Sequence, residues 1–166
     1  FEKLAMEDAL TGLPNRRRLE SELSAWLAAL VDVGDPMCVA LIDVDRFKEV
    51  NDHHSHNVGD AVLKSIAQIF RQGLRDHDFP ARLAGDEFVI VLRGTRLEAA
   101  LDICVRLGEA TRAFDWQSIT DGLNVTISIG LAQAAPGDSV EAVLAKSDAA
   151  MYAEKAARAP QKLGRE

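Results

Sequence analysis

Four carboxylates fall where they could share one task. Asp43 and Asp45 follow an apolar run, and Asp86 and Glu87 lie in the stretch Ala84-Gly85-Asp86-Glu87 between two further apolar runs. Clustered carboxylates repel one another unless a cation joins them, and hard oxygen donors suit Mg²⁺ or Mn²⁺, ions that commonly bridge to substrate phosphates. A site of that kind holds a nucleotide through its metals. Of the pair Asp43 and Asp45, only one is expected to face a given site. If strand 37–43 is central and pairs with a hairpin turning at 84–87, Asp43, Asp86 and Glu87 converge. The segment Val44 to Lys48, where a loop enters a short helix, offers backbone N–H groups to phosphate, and Lys155 offers a charge for the tail. Each feature also has a plainer reading. Asp-x-Asp after a strand is common, and Gly-Asp-Glu in a hairpin is most often a turn. Asn51, Asp52 and Asp60 serve equally as helix caps, and Lys155 with Arg158 suits the dipole of a helix end. His53, His54 and His56 read as a solvated connection, not as metal ligands.

The elements that must position these groups follow from periodicity. Leu19, Leu23, Trp26, Leu27 and Leu30 recur at helical spacing from Pro14 to Gly34, an amphipathic helix of about four turns. Met37 to Asp43 is a near-continuous apolar run, the mark of a buried central strand. Val58, Val62, Ile66, Ile69 and Phe70 make a second helix over 57–74. Phe79 to Leu83 and Phe88 to Leu92 flank a Gly-Asp turn and read as an antiparallel hairpin. Leu97, Leu101, Cys104 and Val105 mark a third helix. Asn124 to Leu131 alternates, with Val125, Ile127, Ile129 and Leu131 on one face, and predicts a half-buried strand. Asp138 to Arg158 forms the last helix, capped by Asp138 or Ser139, with Val140, Val143, Leu144 and Met151 inward. The fold class is α+β, a central mixed and mainly antiparallel sheet flanked by helices.

Composition narrows the partners. The 166 residues fit one domain, and 19 basic against 26 acidic residues give a formal charge of −7. That balance disfavours nucleic acid, which is normally met by a basic stripe. The apolar runs fall short of the ~20 residues that span a bilayer, so no membrane contact is expected. Cys38 and Cys104 lie in apolar surroundings, so a reduced, cytoplasmic setting is expected. The first residue is Phe1, which reads as a piece cut from a longer chain.

In sequence order the segments resemble the GGDEF domain of the diguanylate cyclase family. The resemblance rests on Asp8-Ala-Leu-Thr-Gly-Leu-Pro-Asn-Arg-Arg17, Leu41-Ile-Asp-Val-Asp-Arg-Phe-Lys-Glu-Val-Asn-Asp52, His56-Asn-Val-Gly-Asp60, Ala84-Gly-Asp-Glu-Phe88, Asn124-Val-Thr-Ile-Ser-Ile-Gly130 and Ser147-Asp-Ala-Ala-Met-Tyr152 to Lys155. It implies a fold similar to the polymerase palm and the nucleotidyl cyclases, and condensation of two GTP into cyclic di-GMP with release of two pyrophosphates. By position, Asp43 and Asp86 would hold two Mg²⁺ or Mn²⁺ ions with the carbonyl of Val44, and Glu87 would aid the 3′-hydroxyl or a metal. Asn51 and Asp60 would read guanine, Phe47, Lys48 and Gly85 would belong to the substrate loops, and Lys155 and Arg158 would meet phosphate. Arg75 and Asp78, with Arg106, resemble the family's inhibitory product site.

Further implications are a homodimer through facing active sites and an upstream sensory or receiver domain joined by residues 1–7, the end of a linker helix. The catalytic domain would span 8–159 and a tail 160–166. Three departures stand out: Ala84 for the first signature glycine, Ser55 for a usual glycine, and Arg158 three rather than four residues after Lys155. The alternatives are a non-catalytic module binding GTP or cyclic di-GMP, and a dimerising scaffold.

Overall fold

The apolar run at 37–43 becomes β1 (Met37–Val44), set inside a four-stranded sheet by the computed structural model, which describes residues 5–32 and 35–158. The other strands are β2 (Phe79–Ala84), β3 (Glu87–Arg93) and β4 (Ile127–Gln133), in the order β2-β3-β1-β4. The sheet is antiparallel, as mainly expected, and among the described residues no parallel pair makes it mixed. Helices α1 (Arg16–Ala29), α2 (Phe47–His53), α3 (His56–Gly73), α4 (Leu97–Ala113) and α5 (Val140–Arg158) cover it.

Alternation along β1 sorts the core into two layers. Cys38, Ala40, Ile42 and Val44 join Phe88, Ile90 and Leu92 against α3 and α4, where Phe70 meets Phe88 edge-on. Met37, Val39 and Leu41 join Val89 and Val91 against α1 and α5. A strand buried on both faces needs no polar alternation, which is why its sequence is continuously apolar. The same alternation carries Asp43 toward α5 and Val44 to the opposite side.

The boundaries move in several places. α1 stops at Ala29 rather than Gly34, with the Leu30 N–H bonded to the Leu27 carbonyl; residues 33 and 34 lie outside the described residues. β4 starts at Ile127, not Asn124, and both its faces are covered: Ser128 and Gly130 are buried along with Ile127. The expected half-buried strand is corrected because α5 lies directly on Gly130, where a Cβ would fall 2.0 Å from the Ser147 carbonyl oxygen. On α4 the buried stripe is Ala100, Ile103, Cys104, Leu107 and Thr111, whereas Leu97, Leu101 and Val105 are exposed. Hydropathy alone favoured the larger side chains over Ala100 and Thr111. Ser139 caps α5 by accepting from the Ala142 N–H, while Asp138 accepts from the Ala135 N–H. Residues 1–4 and 159–166 lie outside the described residues. Ala5 to Glu7 are not helical, and Glu7 bridges to Pro14, so the helix expected over 1–7 does not extend to them. Among the described residues no helix is long and apolar enough to cross a membrane.

Candidate active site

Three chain segments meet beyond the C-terminal end of β1. The Val44 N–H donates to the Asp86 carbonyl at 3.3 Å, tying the hairpin turn to the strand end, and the Asp45 N–H donates to the Thr126 carbonyl at 2.9 Å. Between them opens a cavity of about 950 Å³, lined by Asp43, Val44, Asp45, Phe47, Lys48, Asp86, Ser128, Lys155 and Arg158 among others. The turn is possible because Gly85 has φ +51°, at the first central position where a two-residue hairpin loop can require glycine. Ala84 has no positive φ, so the alanine in place of glycine costs the turn nothing there. Below the turn, Arg82 donates to the Gly85 carbonyl at 3.0 Å and pairs with Asp8 at 3.1 Å. Burial raises the Asp8 pKa, but hydrogen bonds from Thr11 and Arg82 outweigh it and hold that carboxyl below its ordinary value. The opening segment thus braces the turn that carries Asp86, a role the sequence alone did not reveal.

Asp43 and Asp86 are brought together as expected. The Lys155 ammonium donates to Asp43 Oδ2 at 2.6 Å, while Asp43 Oδ1 is buried without a hydrogen-bond partner. Burial, and next the charge of Asp43, push the Asp86 carboxyl above its ordinary pKa; its own backbone hydrogen bond and Lys155 pull the other way. An unsatisfied buried carboxylate oxygen beside a second, destabilised carboxylate is the donor set a divalent cation relieves. The residues therefore fit Mg²⁺ or Mn²⁺. Glu87 does not complete a triad. It stands opposite Asp43 in the ladder, but it is exposed and outside the cavity lining. A long carboxylate left in water avoids the desolvation that raises Asp86. Among the described residues no group of three or more His, Cys, Asp or Glu side chains is close enough to hold a metal ion. Two carboxylates and a backbone carbonyl remain.

Asp45 is the larger surprise. It lines the same cavity as Asp43, contrary to the expected divergence, because residues two apart leave a strand on the same side. Its carboxylate accepts from Thr126 Oγ1 at 2.6 Å and from Ser128 Oγ, and Ser128 Oγ in turn accepts from Arg158 Nη2 at 2.5 Å. Arg158 thus reaches the cavity from the last turn of α5 despite its shortened spacing. Only the Asp-x-Asp and Thr-x-Ser patterns hinted at this network.

Asn51 and Asp60 sit on α2 and α3, outside the lining of this cavity, with Asn51 half-buried and Asp60 exposed. Gly59 lets them approach: a Cβ there would fall 1.9 Å from Asn51 Oδ1 and 3.2 Å from Phe47 Cζ. Ser55, where a glycine was expected, caps α3 by accepting from the Val58 N–H at 3.2 Å. The histidines are exposed, as expected, although His53 ends α2 and His56 begins α3. Arg46 precedes α2 with φ +53°, the one positive φ among the described non-glycine residues.

Away from the cavity, Arg75 Nε and Nη2 clamp the buried carboxylate of Asp78 at 3.1 Å each, and Arg75 Nη2 also donates to Thr95 Oγ1 at 2.8 Å. Arg106 is exposed on α4 and makes no hydrogen bond or ion pair with either among the described residues. Cys38 and Cys104 are free and buried, and burial pushes their thiols up to about 11 and about 12. Neither is a nucleophile at neutral pH.

The family model described as "Diguanylate cyclase, GGDEF domain" matches residues 5–161. The response regulator PleD of Caulobacter vibrioides is 40% identical over 157 residues, covering 93% of this chain and 35% of that protein. Diguanylate cyclase DgcP of Pseudomonas aeruginosa is 39% identical over 153 residues, covering 92% of this chain and 23% of that protein. The chain thus spans about a third or less of the length of these curated relatives. Among solved structures, the GGDEF domain of DgcB from Caulobacter crescentus in complex with c-di-GMP matches with a TM-score of 0.86 at 28% identity, covering 95% of this chain and 94% of that one. Diguanylate cyclase SiaD from Pseudomonas aeruginosa, in complex with its activator SiaC, matches with a TM-score of 0.85 at 34% identity, covering 93% of this chain and 59% of that one.

Proposed function

Because the chain belongs to the diguanylate cyclase GGDEF domain family, we propose that it joins two GTP molecules into cyclic di-GMP with release of two pyrophosphates. The observation that carries this reading is Asp43 with its buried, unpartnered Oδ1 beside the destabilised carboxyl of Asp86. Two Mg²⁺ or Mn²⁺ ions, held by Asp43, Asp86 and the carbonyl of Val44, would supply charge neutralisation at the α-phosphate and activation of the attacking 3′-hydroxyl.

The chain's own residues do the positioning. Phe47 and Lys48 line the cavity from α2 and would meet the phosphates there, and Lys155 and Arg158 bring two positive charges to the same cavity from α5. Asn51 and Asp60 read the guanine edge, with the Asp60 carboxylate accepting from its N–H donors and Gly59 leaving room for Asn51. Gly85 sets the turn so that Asp86 turns inward, and Glu87, free in water opposite Asp43, takes up the hydroxyl proton. One such cavity accommodates one GTP. A product built from two equivalent halves therefore calls for two chains facing one another across a two-fold axis. Arg75 and Asp78, with Arg106, form the inhibitory product site; Asp78 and Thr95 hold Arg75 by Nε and Nη2, and its Nη1 would be offered to phosphate or a guanine edge. In the parent protein an upstream sensory or receiver domain would set how often two cavities meet, in the cytoplasm.

The test is incubation of the chain, dimerised through a fused leucine zipper, with GTP and Mg²⁺, and chromatography of the products. Cyclic di-GMP and pyrophosphate are expected, and Asp86→Ala should abolish both. GTP binding without turnover would favour the non-catalytic module instead.

A further inference from the structure

Arg158 reaches the cavity from the last turn of α5, and its contacts set the direction of its long side chain. On α5 it pairs with Glu154, at 3.8 Å, and both side chains are nearly half exposed. Such a pair fixes little. Its contact with Ser128 differs in kind. Ser128 is fully buried, and its hydroxyl oxygen accepts from Arg158 Nη2 at 2.5 Å while the hydroxyl donates to Asp45 Oδ1. Thr126 Oγ1 holds the other oxygen of Asp45 at 2.6 Å, and the Asp45 N–H is anchored on the Thr126 carbonyl at 2.9 Å. The direction of the proton is therefore fixed along the whole chain. A carboxylate can only accept, so both hydroxyls must donate to Asp45, and the Ser128 lone pairs are left facing the guanidinium.

We propose that Asp45, Thr126 and Ser128 form a positioning relay that aims Arg158 at the β- and γ-phosphates of bound GTP. This rests on the reading of the cavity as a GTP site. Asp45 touches no reacting atom in this role. Its charge is spread into two hydroxyls, which leaves it a weaker competitor for the cations that Asp43 and Asp86 would hold, and it orients Arg158 through Ser128 without neutralising it directly. Ser128 also faces Asp43 across the β1–β4 ladder, so the relay fixes Arg158 relative to the metal-facing carboxylate itself. The geometry explains how an arginine three residues after Lys155 still serves the phosphate tail: β4, not the helix spacing, determines its direction.

The experiment is calorimetric binding of GTP and of GMP, each with Mg²⁺, to the full chain and to Ser128→Ala, Arg158→Ala and the double variant. GMP lacks the phosphates that the relay serves. Ser128→Ala should weaken GTP binding about threefold to tenfold, the range of one hydrogen bond, and leave GMP binding unchanged. In the Arg158→Ala background the serine substitution should have no further effect on GTP, since the relay then has nothing to aim. Should Ser128→Ala melt below the assay temperature, Thr126→Val, half-buried and outside the strand, carries the same cycle with a smaller loss. An equal loss with and without Arg158, an equal loss for GTP and GMP, or no loss at all would overturn the relay. A parent chain that binds no GTP would overturn the reading of the cavity, and the relay with it.

Discussion

Substituting Gly130 by alanine tests whether α5, and with it Lys155 and Arg158, is seated on the sheet as described. The new Cβ would lie 2.0 Å from the Ser147 carbonyl oxygen, 2.4 Å from the Met151 nitrogen and 2.6 Å from the Met151 Cβ. Ordinary contact between such atoms is about 3.5 Å, so the helix must retreat by about 1 Å or more. Two of the three atoms are backbone, and no rotamer change escapes them. Overpacking of this kind costs about 1–3 kcal/mol. The same retreat stretches the hydrogen bond from Ser147 Oγ to the Val39 carbonyl, 2.9 Å in the parent, for about 1 kcal/mol more. A loss of about 2–4 kcal/mol in a domain of this size lowers the melting temperature by about 5–15 °C. Lys155 lies one turn beyond Met151, and its 2.6 Å contact with Asp43 would be broken by the same movement. Thermal melting followed by circular dichroism, with GTP turnover measured well below the transition, reads both effects. A melting temperature within 1 °C of the parent would refute the packing of α5 on β4, and loss of stability with full turnover would refute the link from that packing to the cavity.

Other substitutions separate the parts of the site. Burial and Asp43 hold the Asp86 pKa above its unfolded value. The contribution of this group to the metal-free protein is therefore fully present below the unfolded pKa of about 4 and lost as pH rises through the folded value. Asp86→Asn should abolish that loss, melting higher than the parent at pH 7 without Mg²⁺, yet lower turnover at least about 100-fold; a variant that melts lower at pH 7 would contradict the strain assigned to the pair. Gly59→Ala drives a methyl to within 1.9 Å of Asn51 Oδ1 and should weaken GTP binding about tenfold while changing any binding of ATP, which lacks the guanine edge, much less, as competition calorimetry would show. Arg75→Ala strips the buried Asp78 carboxylate of its clamp; it should cost about 1–3 kcal/mol in urea unfolding and abolish cyclic di-GMP binding in the absence of GTP.

How much of this was legible in the sequence depended on whether a signal was local. β1 announced itself because burial on both faces removes polar alternation, and the hairpin because Gly85-Asp86 is a turn with a mechanical reason. The end of α1 and the buried stripe of α4 did not. The first is decided by a local carbonyl contact at Leu27, the second by what the sheet offers to small residues such as Ala100, and neither leaves a hydropathy signature. β4 misled for a related reason: its even positions, Ser128 and Gly130, look like a polar face and are in fact covered by α5, glycine being the residue that permits the contact. At the site, Asp43 and Asp86 were placed by strand order and turn position. Asp45, Arg82, Asp8 and Gly59 matter through partners 81, 74 or 8 residues away in the chain or through space they leave empty, and pattern reading has no access to either. Glu87 stands opposite Asp43 in the β1–β3 ladder, as the expected strand pairing implied, but its side chain stays exposed beside the cavity and does not line it.

The central claim is that the cavity at the end of β1 is one GTP half-site built around the divalent cations that Asp43 and Asp86 would hold. Calorimetric titration of GTP into the chain, with Mg²⁺ and with the metal chelated, tests it most directly. The account predicts one GTP per chain, binding that depends on Mg²⁺, and loss of that dependence in Asp43→Asn. Binding that is equally tight without the metal, or that survives Asp43→Asn with its Mg²⁺ dependence intact, would contradict it.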